Sequence, residues 1–228
     1  AIDIEQLSGR ATTLELRMDA GAFQNQDATA NAATSFTIDN HGVTYIADAT
    51  APVVSSVSYD AETDRCAVTF DEPVRYDNVT VGGISLSDDE GVSEVTLAAS
   101  SVVTADDAVT IVLALTEAEG IAVEKLSGRA SALECALDAD AFVNQDNTGV
   151  AALGYGDNQS VGYSANTTKP TITAVSYDAD TDEATFEFDM PVKHDAVTFG
   201  GIAFSGDNGT AETSLGGGTV AESDPSST

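Results

Sequence analysis

Val57-Ser58-Tyr59-Asp60-Ala61-Glu62-Thr63-Asp64 returns as Val175-Ser176-Tyr177-Asp178-Ala179-Asp180-Thr181-Asp182, about 118 residues later. Self-similarity at a fixed period marks a tandem array in which each copy is one structural unit. Working outward, Phe70-Asp71-Glu72-Pro73-Val74 returns as Phe188-Asp189-Met190-Pro191-Val192, and Val81-Gly82-Gly83-Ile84 returns as Phe199-Gly200-Gly201-Ile202. Upstream, Leu7-Ser8-Gly9-Arg10-Ala11 matches Leu126-Ser127-Gly128-Arg129-Ala130, and Phe23-Gln24-Asn25-Gln26-Asp27 matches Phe142-Val143-Asn144-Gln145-Asp146. The phase divides the chain into residues 1–50, the second half of a repeat, residues 51–169, one whole repeat, and residues 170–228, the first half of the next. Two readings of that phase stand. The window is cut from a longer array, or the halves complement each other between chains in a head-to-tail fibre. The second reading leaves the composite without a counterpart of Ile111–Leu115.

Within the whole repeat, short apolar stretches alternate with turn signals, the pattern of an all-β unit. Val53–Tyr59 reads as a strand and Asp60–Asp64 as a polar turn. Cys66, Val68 and Phe70 alternate with Ala67 and Thr69, which puts the first three on one inward face. Asp71-Glu72-Pro73 is expected to interrupt pairing, because proline lacks the donor. Val79–Val81, Ile84–Leu86, Val95–Leu97, Val102–Val103 and Val109–Leu115 follow as strands, with Gly82-Gly83 as a turn or bulge. Thr116-Glu117-Ala118-Glu119 has the spacing of a capping box, so one short helix is expected, with Gly128 as its stop. Leu133, Cys135 and Leu137 alternate again. Val161–Tyr163 closes the unit ahead of the linker Asn166–Pro170.

The order Pro52, Val57-Ser58-Tyr59-Asp60, Phe70-Asp71-Glu72-Pro73-Val74, Gly83-Ile84, Leu113 and Phe142-Val143-Asn144-Gln145-Asp146 resembles the bacterial Ig-like repeats of S-layer proteins and giant extracellular adhesins. Related repeats occur in algal surface proteins. Asp71 stands where that family's proline element has Ser, and Asn144-Gln145-Asp146 replaces its late Gly-Asn turn. About seven strands in about 118 residues also suits the size of an Ig-like β-sandwich. The resemblance implies tandem sandwiches in an extracellular or cell-surface protein used for spacing, lattice building or adhesion.

Composition narrows the function classes. Against 38 Asp and Glu the chain has 8 Lys and Arg, a formal net charge of -30. Phosphate binding needs clustered cations, so nucleic acid is not an expected partner, nor is an anionic membrane face. No apolar run reaches the roughly 20 residues of a membrane span. The -30 charge repels itself at low salt and is screened at high salt, so a saline setting is one reading of it. A catalytic role is not expected. His41 and His194 face Gln159 and Tyr76 in the other copies, and nothing near either suggests a nucleophile to activate.

The candidate sites are of three kinds. Cys66 and Cys135 fall on the inferred inward face of an early and a late strand. Either they close a disulfide across the sandwich or they stay as buried thiols. Calcium takes six to eight oxygen ligands. Its candidate ligands are Asp60 and Asp64 in one turn, Asp48 in the linker before Pro52, and Asp138 and Asp146. Ordinary turns on an acidic surface are the alternative. Four Asn-x-Ser/Thr sequons, at Asn78, Asn158, Asn166 and Asn208, would accept glycans in a secretory pathway. The expected function is a structural, non-enzymatic segment that forms a filament shaft, surface lattice or spacer. Its expected partners are neighbouring copies or adjacent repeats. An adhesive module that binds glycan or a surface partner through its end loops is the second reading. A third is an accessory array of a secreted enzyme whose catalytic domain lies elsewhere.

Overall fold

A computed structural model of the chain describes residues 4, 7, 10–26, 32–35, 41–88, 93–146, 150–206, 209 and 211–221. The protein is β-rich, with twelve strands against three short α-helices among the described residues. It forms two compact units, Ala1–Ala165 and Asn166–Thr228.

The core of the first unit starts from the alternation at Cys66, Val68 and Phe70. These residues lie on strand β2 (Arg65–Val74) and are all buried. Strand β1 (Val54–Asp60) pairs antiparallel with β2, setting Val57 opposite Val68 and Tyr59 opposite Cys66. The turn between them is tight enough to need a left-handed residue, and Asp64 takes φ +51°, a conformation that Asp tolerates better than most side chains. Tyr59 fixes it by donating its hydroxyl to Asp64 Oδ1 at 2.8 Å.

On the far side of β2 lies β6 (Ala108–Ala114), whose Ile111 and Leu113 are buried. Strands β3 (Ile84–Ser87), β4 (Glu94–Thr96), β5 (Ser101–Val102), β7 (Glu134–Leu137) and β8 (Tyr155–Ser164) complete the order β4-β3-β7-β8-β1-β2-β6-β5. The long strand β8 joins two strand groups, β4-β3-β7 on one side and β1-β2-β6-β5 on the other. Its first part pairs antiparallel with β7, and residues 161–164 pair parallel with β1. One buried cluster draws on both groups, including Tyr59, Val68, Leu86, Leu113, Cys135 and Phe142.

One local expectation needs correction. Val79–Val81 is not a strand. The chain there runs through 3-10 turns at Tyr76–Asn78 and Val81–Gly83. Gly83 lies so close to Asp138 and Ala141 that a side chain at this position would press on both, and its N–H bonds back to the Thr80 carbonyl at 2.9 Å. At Asp71-Glu72-Pro73 the pairing of β2 with β6 is interrupted, between Thr69 and Val74, as expected, while strand β2 itself continues to Val74.

Helix α1 (Arg10–Thr13) lies early in the chain. Helix α2 (Glu117–Lys125) starts with the capping box its sequence predicts, Thr116 and Glu119 exchanging side-chain and backbone bonds. Gly128, at φ +71°, then separates it from a second short helix, α3 (Arg129–Ala132). Glu119 does more than cap. Its carboxylate also accepts from Ala99 N at 2.8 Å and Ser100 Oγ at 3.0 Å, which ties the helix to the chain after β4. Partial burial raises the Glu119 pKa, but the hydrogen bonds from Thr116, Ala99 and Ser100 outweigh it and hold the carboxyl below its usual range. The folded-state pKa is therefore the lower one. The stability this provides is present above the ordinary glutamate value and is lost as pH falls through the folded one. Glu119→Ala should cost roughly 1–2 kcal/mol at neutral pH, the size of a lost cap. Urea melts should show that deficit narrowing as pH approaches 3. A deficit that does not change with pH would contradict this assignment.

The second unit contains strands β9 (Ile172–Asp178) and β10 (Glu183–Phe188), paired antiparallel, and β11 (Ala203–Ser205) and β12 (Glu212–Ser214), also paired antiparallel. Much of its hairpin is exposed, with Ile172 at 52% and Tyr177 at 56%.

Candidate functional site

The first unit has a polar clasp where the segment before β1 meets the turn after β7. Phe142 is fully buried and meets Phe70 edge to face at 4.8 Å. Behind it the backbone is held to the end of β2, by Gln145 N to Pro73 O at 3.1 Å and Arg75 N to Val143 O at 3.0 Å. The two sequence elements quoted above, around Phe70 and around Phe142, are thus joined in space.

That joint presents Asn144 and Asp146, which are 1% and 2% exposed. Asn144 Nδ2 donates to Thr50 O at 3.3 Å, while its Oδ1 accepts from Val150 N at 3.0 Å. Asp146 Oδ2 accepts from the Tyr45 hydroxyl at 2.6 Å and from Asp48 N at 2.7 Å. A little further on, Asp71 Oδ1 accepts from Val53 N at 2.8 Å, and Asp71 N donates to Val53 O at 3.0 Å. Residues 45–53 are therefore fastened at four points, with a buried carboxylate at the centre. Hydrogen bonds to a charged group are the stronger kind, worth about 1.5–3 kcal/mol each.

Of the five carboxylates considered for calcium, only Asp48 and Asp146 come together here. Asp48 turns its own side chain to Thr50 N at 2.8 Å. That N–H holds its carboxyl below the usual range, against slight desolvation and the nearby Asp146 charge. Asp60 caps its own turn, accepting from Glu62 N and Thr63 Oγ1. Asp64 is engaged by Tyr59 and packs against Gly120 of α2, where a methyl group would overlap its carboxylate. Asp138 lines a small cavity of about 170 Å³ with Ser85, Glu94 and Thr96. Among the described residues no three His, Cys, Asp or Glu side chains form a group that could hold a metal. Asp48, Asp60, Asp64 and Asp146 all take protein donors and act as turn caps and fasteners.

The disulfide expected between Cys66 and Cys135 is not formed in the structure. Both sulfurs are thiols in the core. Burial pushes the Cys66 thiol up to about 12. The Cys135 thiol is also raised, first by burial and then by the influence of Cys66, so both stay neutral and inert while buried. Asn78 is exposed at the end of a 3-10 turn, and Asn166 is exposed with its Oδ1 accepting from Thr168 N. Asn158 lies on β8, and Asn208 lies outside the described residues. His41 is exposed, and His194 is half-buried in a 3-10 turn.

Tyr45 was not singled out in the sequence, and Asn144 appeared there only as part of the element Phe142–Asp146. Tyr45 lies 101 residues from its partner Asp146, and nothing local marks either residue as a fastener. No helix among the described residues is long and apolar enough to cross a membrane. No family model, curated protein or solved structure matches the chain.

Proposed function

We propose that this chain is a structural segment of a long extracellular repeat protein, built of end-to-end Ig-like sandwiches that serve as a filament shaft, surface lattice or spacer. The observation that carries the proposal is the clasp on residues 45–53. A spacer transmits orientation only if its junctions are fixed. Here the chain entering β1 is fastened by Asp146, Asn144 and Asp71 rather than left as a free tether.

The hairpins support the repeat reading. In β9–β10, Val175 faces Phe186 and Tyr177 faces Ala184, the register of Val57 with Val68 and Tyr59 with Cys66. Asp182 repeats the left-handed turn at φ +57° and takes the Tyr177 hydroxyl at 2.7 Å. Asp189 accepts from Thr171 N at 2.7 Å, as Asp71 does from Val53. The sandwich reading is supported by β8, which passes from one strand group to the other, and by the buried cluster that draws on both. In an oxidising compartment the two thiols would close as a disulfide. In this reading the surface charge keeps the arrays soluble in a saline setting.

The clasp can be tested by amide exchange. Asp146→Asn with Asn144→Ala should raise exchange at residues 45–53 by about a hundredfold, equivalent to roughly 3 kcal/mol of lost fastening, while β2 and β6 stay protected. Unchanged exchange at 45–53 would remove the support for a fixed junction.

A further inference from the structure

We infer that the face of strand β3 turned away from the core carries a binding site for a primary ammonium group, on a free alkylamine or at the end of a lysine side chain. The site lies within the first unit and does not depend on the array reading above.

Ile84 and Leu86 are fully buried in the core. Alternation along the strand turns Ser85 and Ser87 to the opposite face. That face of an antiparallel sheet is commonly the wet one, yet Ser85 is 6% and Ser87 0% exposed. In register, Ser85 lies between Thr96 on β4 and Ala136 on β7, and Ser87 lies between Glu94 and Glu134. The Ser87 hydroxyl is buried with no hydrogen-bond partner. Ser85 lines the cavity of about 170 Å³, together with Thr96, Ala136, Glu94 and Asp138. Among the described residues, no hydrogen bond or ion pair engages the side chain of Ser85, Glu94 or Asp138. Buried hydroxyls without a partner are uncommon in folded proteins, and each calls for an explanation. Gly83 helps to shape the site by lacking a side chain. A Cβ there would stand 3.5 Å from Asp138 Oδ2, so the bare glycine leaves that carboxylate its place beside the start of β3.

The chemistry of the lining selects the occupant. Glu94 and Asp138 only accept hydrogen bonds when ionised, and the Ser85 oxygen can accept as well. No Lys or Arg lines the cavity. The occupant must therefore donate, and two carboxylates on a chain of net charge -30 favour a cation. A primary ammonium brings three donors to three separate acceptors. A guanidinium is less well matched, because its planar fork suits the two oxygens of one carboxylate. An engineered apolar cavity of about 150 Å³ holds benzene. The space here therefore takes the first methylenes of an alkyl chain, beside Ala136, as well as the charged head.

The test is an NMR titration of the whole 228-residue chain in about 0.15 M salt, which screens diffuse attraction. The probes are butylamine and lysine blocked at both backbone ends, with butanol, blocked arginine and calcium for comparison. Both ammonium probes should give saturable shifts at residues 83–87, 94–97 and 134–138, and butanol none there. Glu94→Gln and Asp138→Asn should each weaken binding about tenfold, the loss of one charge-assisted hydrogen bond. Ser85→Ala should weaken it too, and Ala136→Leu, which fills the cavity, should abolish it. Unchanged amide protection in β1, β2 and β6 checks that each variant is folded, and the serine and carboxylate variants decide the matter if Ala136→Leu is not. Tighter binding of blocked lysine than of butylamine would identify a lysine side chain as the ligand, and equal binding would show that a free amine suffices. Shifts scattered over acidic residues elsewhere, or binding that survives in folded Ala136→Leu, would reveal general counterion attraction and overturn the inference. Arginine or calcium binding as tight as the ammonium probes would overturn it as well.

Discussion

Phe142→Ala should destabilise the first unit by about 3–5 kcal/mol, the usual cost of removing a buried aromatic ring, while Phe23→Ala, its sequence counterpart, should change unfolding by less than about 0.5 kcal/mol. Phe142 is fully buried against Phe70, and the backbone just after it, at Val143 and Gln145, bonds to the end of β2. Its loss leaves a cavity at the base of the clasp. Phe23 is 68% exposed. Denaturant melts of the two variants make the comparison. A loss from Phe23→Ala as large as that from Phe142→Ala would contradict this account, in which the buried ring carries the packing.

Protein kept under oxidising conditions should carry a Cys66–Cys135 disulfide, and reducing it should lower stability by about 4 kcal/mol. Closing a loop of about 70 residues restricts the unfolded chain by that amount in the chain-entropy account. The two sulfurs lie in the core, close enough for Cys66 to act on the Cys135 thiol. Neither ionises readily while buried, so the bond forms during folding, when the thiols are accessible. The check is alkylation in denaturant without reductant, followed by mass measurement and melts with and without reducing agent. Two alkylated thiols and no shift in the melt would show that the pair acts as two small apolar residues, and would weaken the case for an oxidising compartment.

Much of the fold was legible where one physical rule acts locally. The alternation at Cys66, Val68 and Phe70 gave a buried face, and Thr116 with Glu119 gave a capping box, because each depends on spacing along a single element. Val79–Val81 was misread because β-branched residues favour strands, whereas the close approach of Gly83 to Asp138 decides the backbone there. Pro73 was legible as a break in pairing, because it lacks the donor. The strand continues through it, because β6 is out of register at that point and needs no donor from residue 73. The candidate site was the least legible part. Asp48 and Asp146 were noticed as acids, but their roles come from Tyr45 and Asn144, and the Tyr45–Asp146 and Asn144–Thr50 bonds join residues far apart in sequence. Composition pointed to metal ligation. Tertiary structure adds what composition cannot give, the protein N–H and O–H donors on several of these carboxylates.

The central claim is an end-to-end array with fixed junctions. The most direct measurement is electron microscopy of the native material that contains this chain, with and without a calcium chelator. The account predicts straight filaments or sheets with a regular axial repeat that persist after chelation, since the clasp is made of protein donors. Dispersed, unconnected particles in both conditions would contradict it and favour the adhesive-module reading. Filaments that loosen on chelation would keep the array but contradict the metal-free clasp.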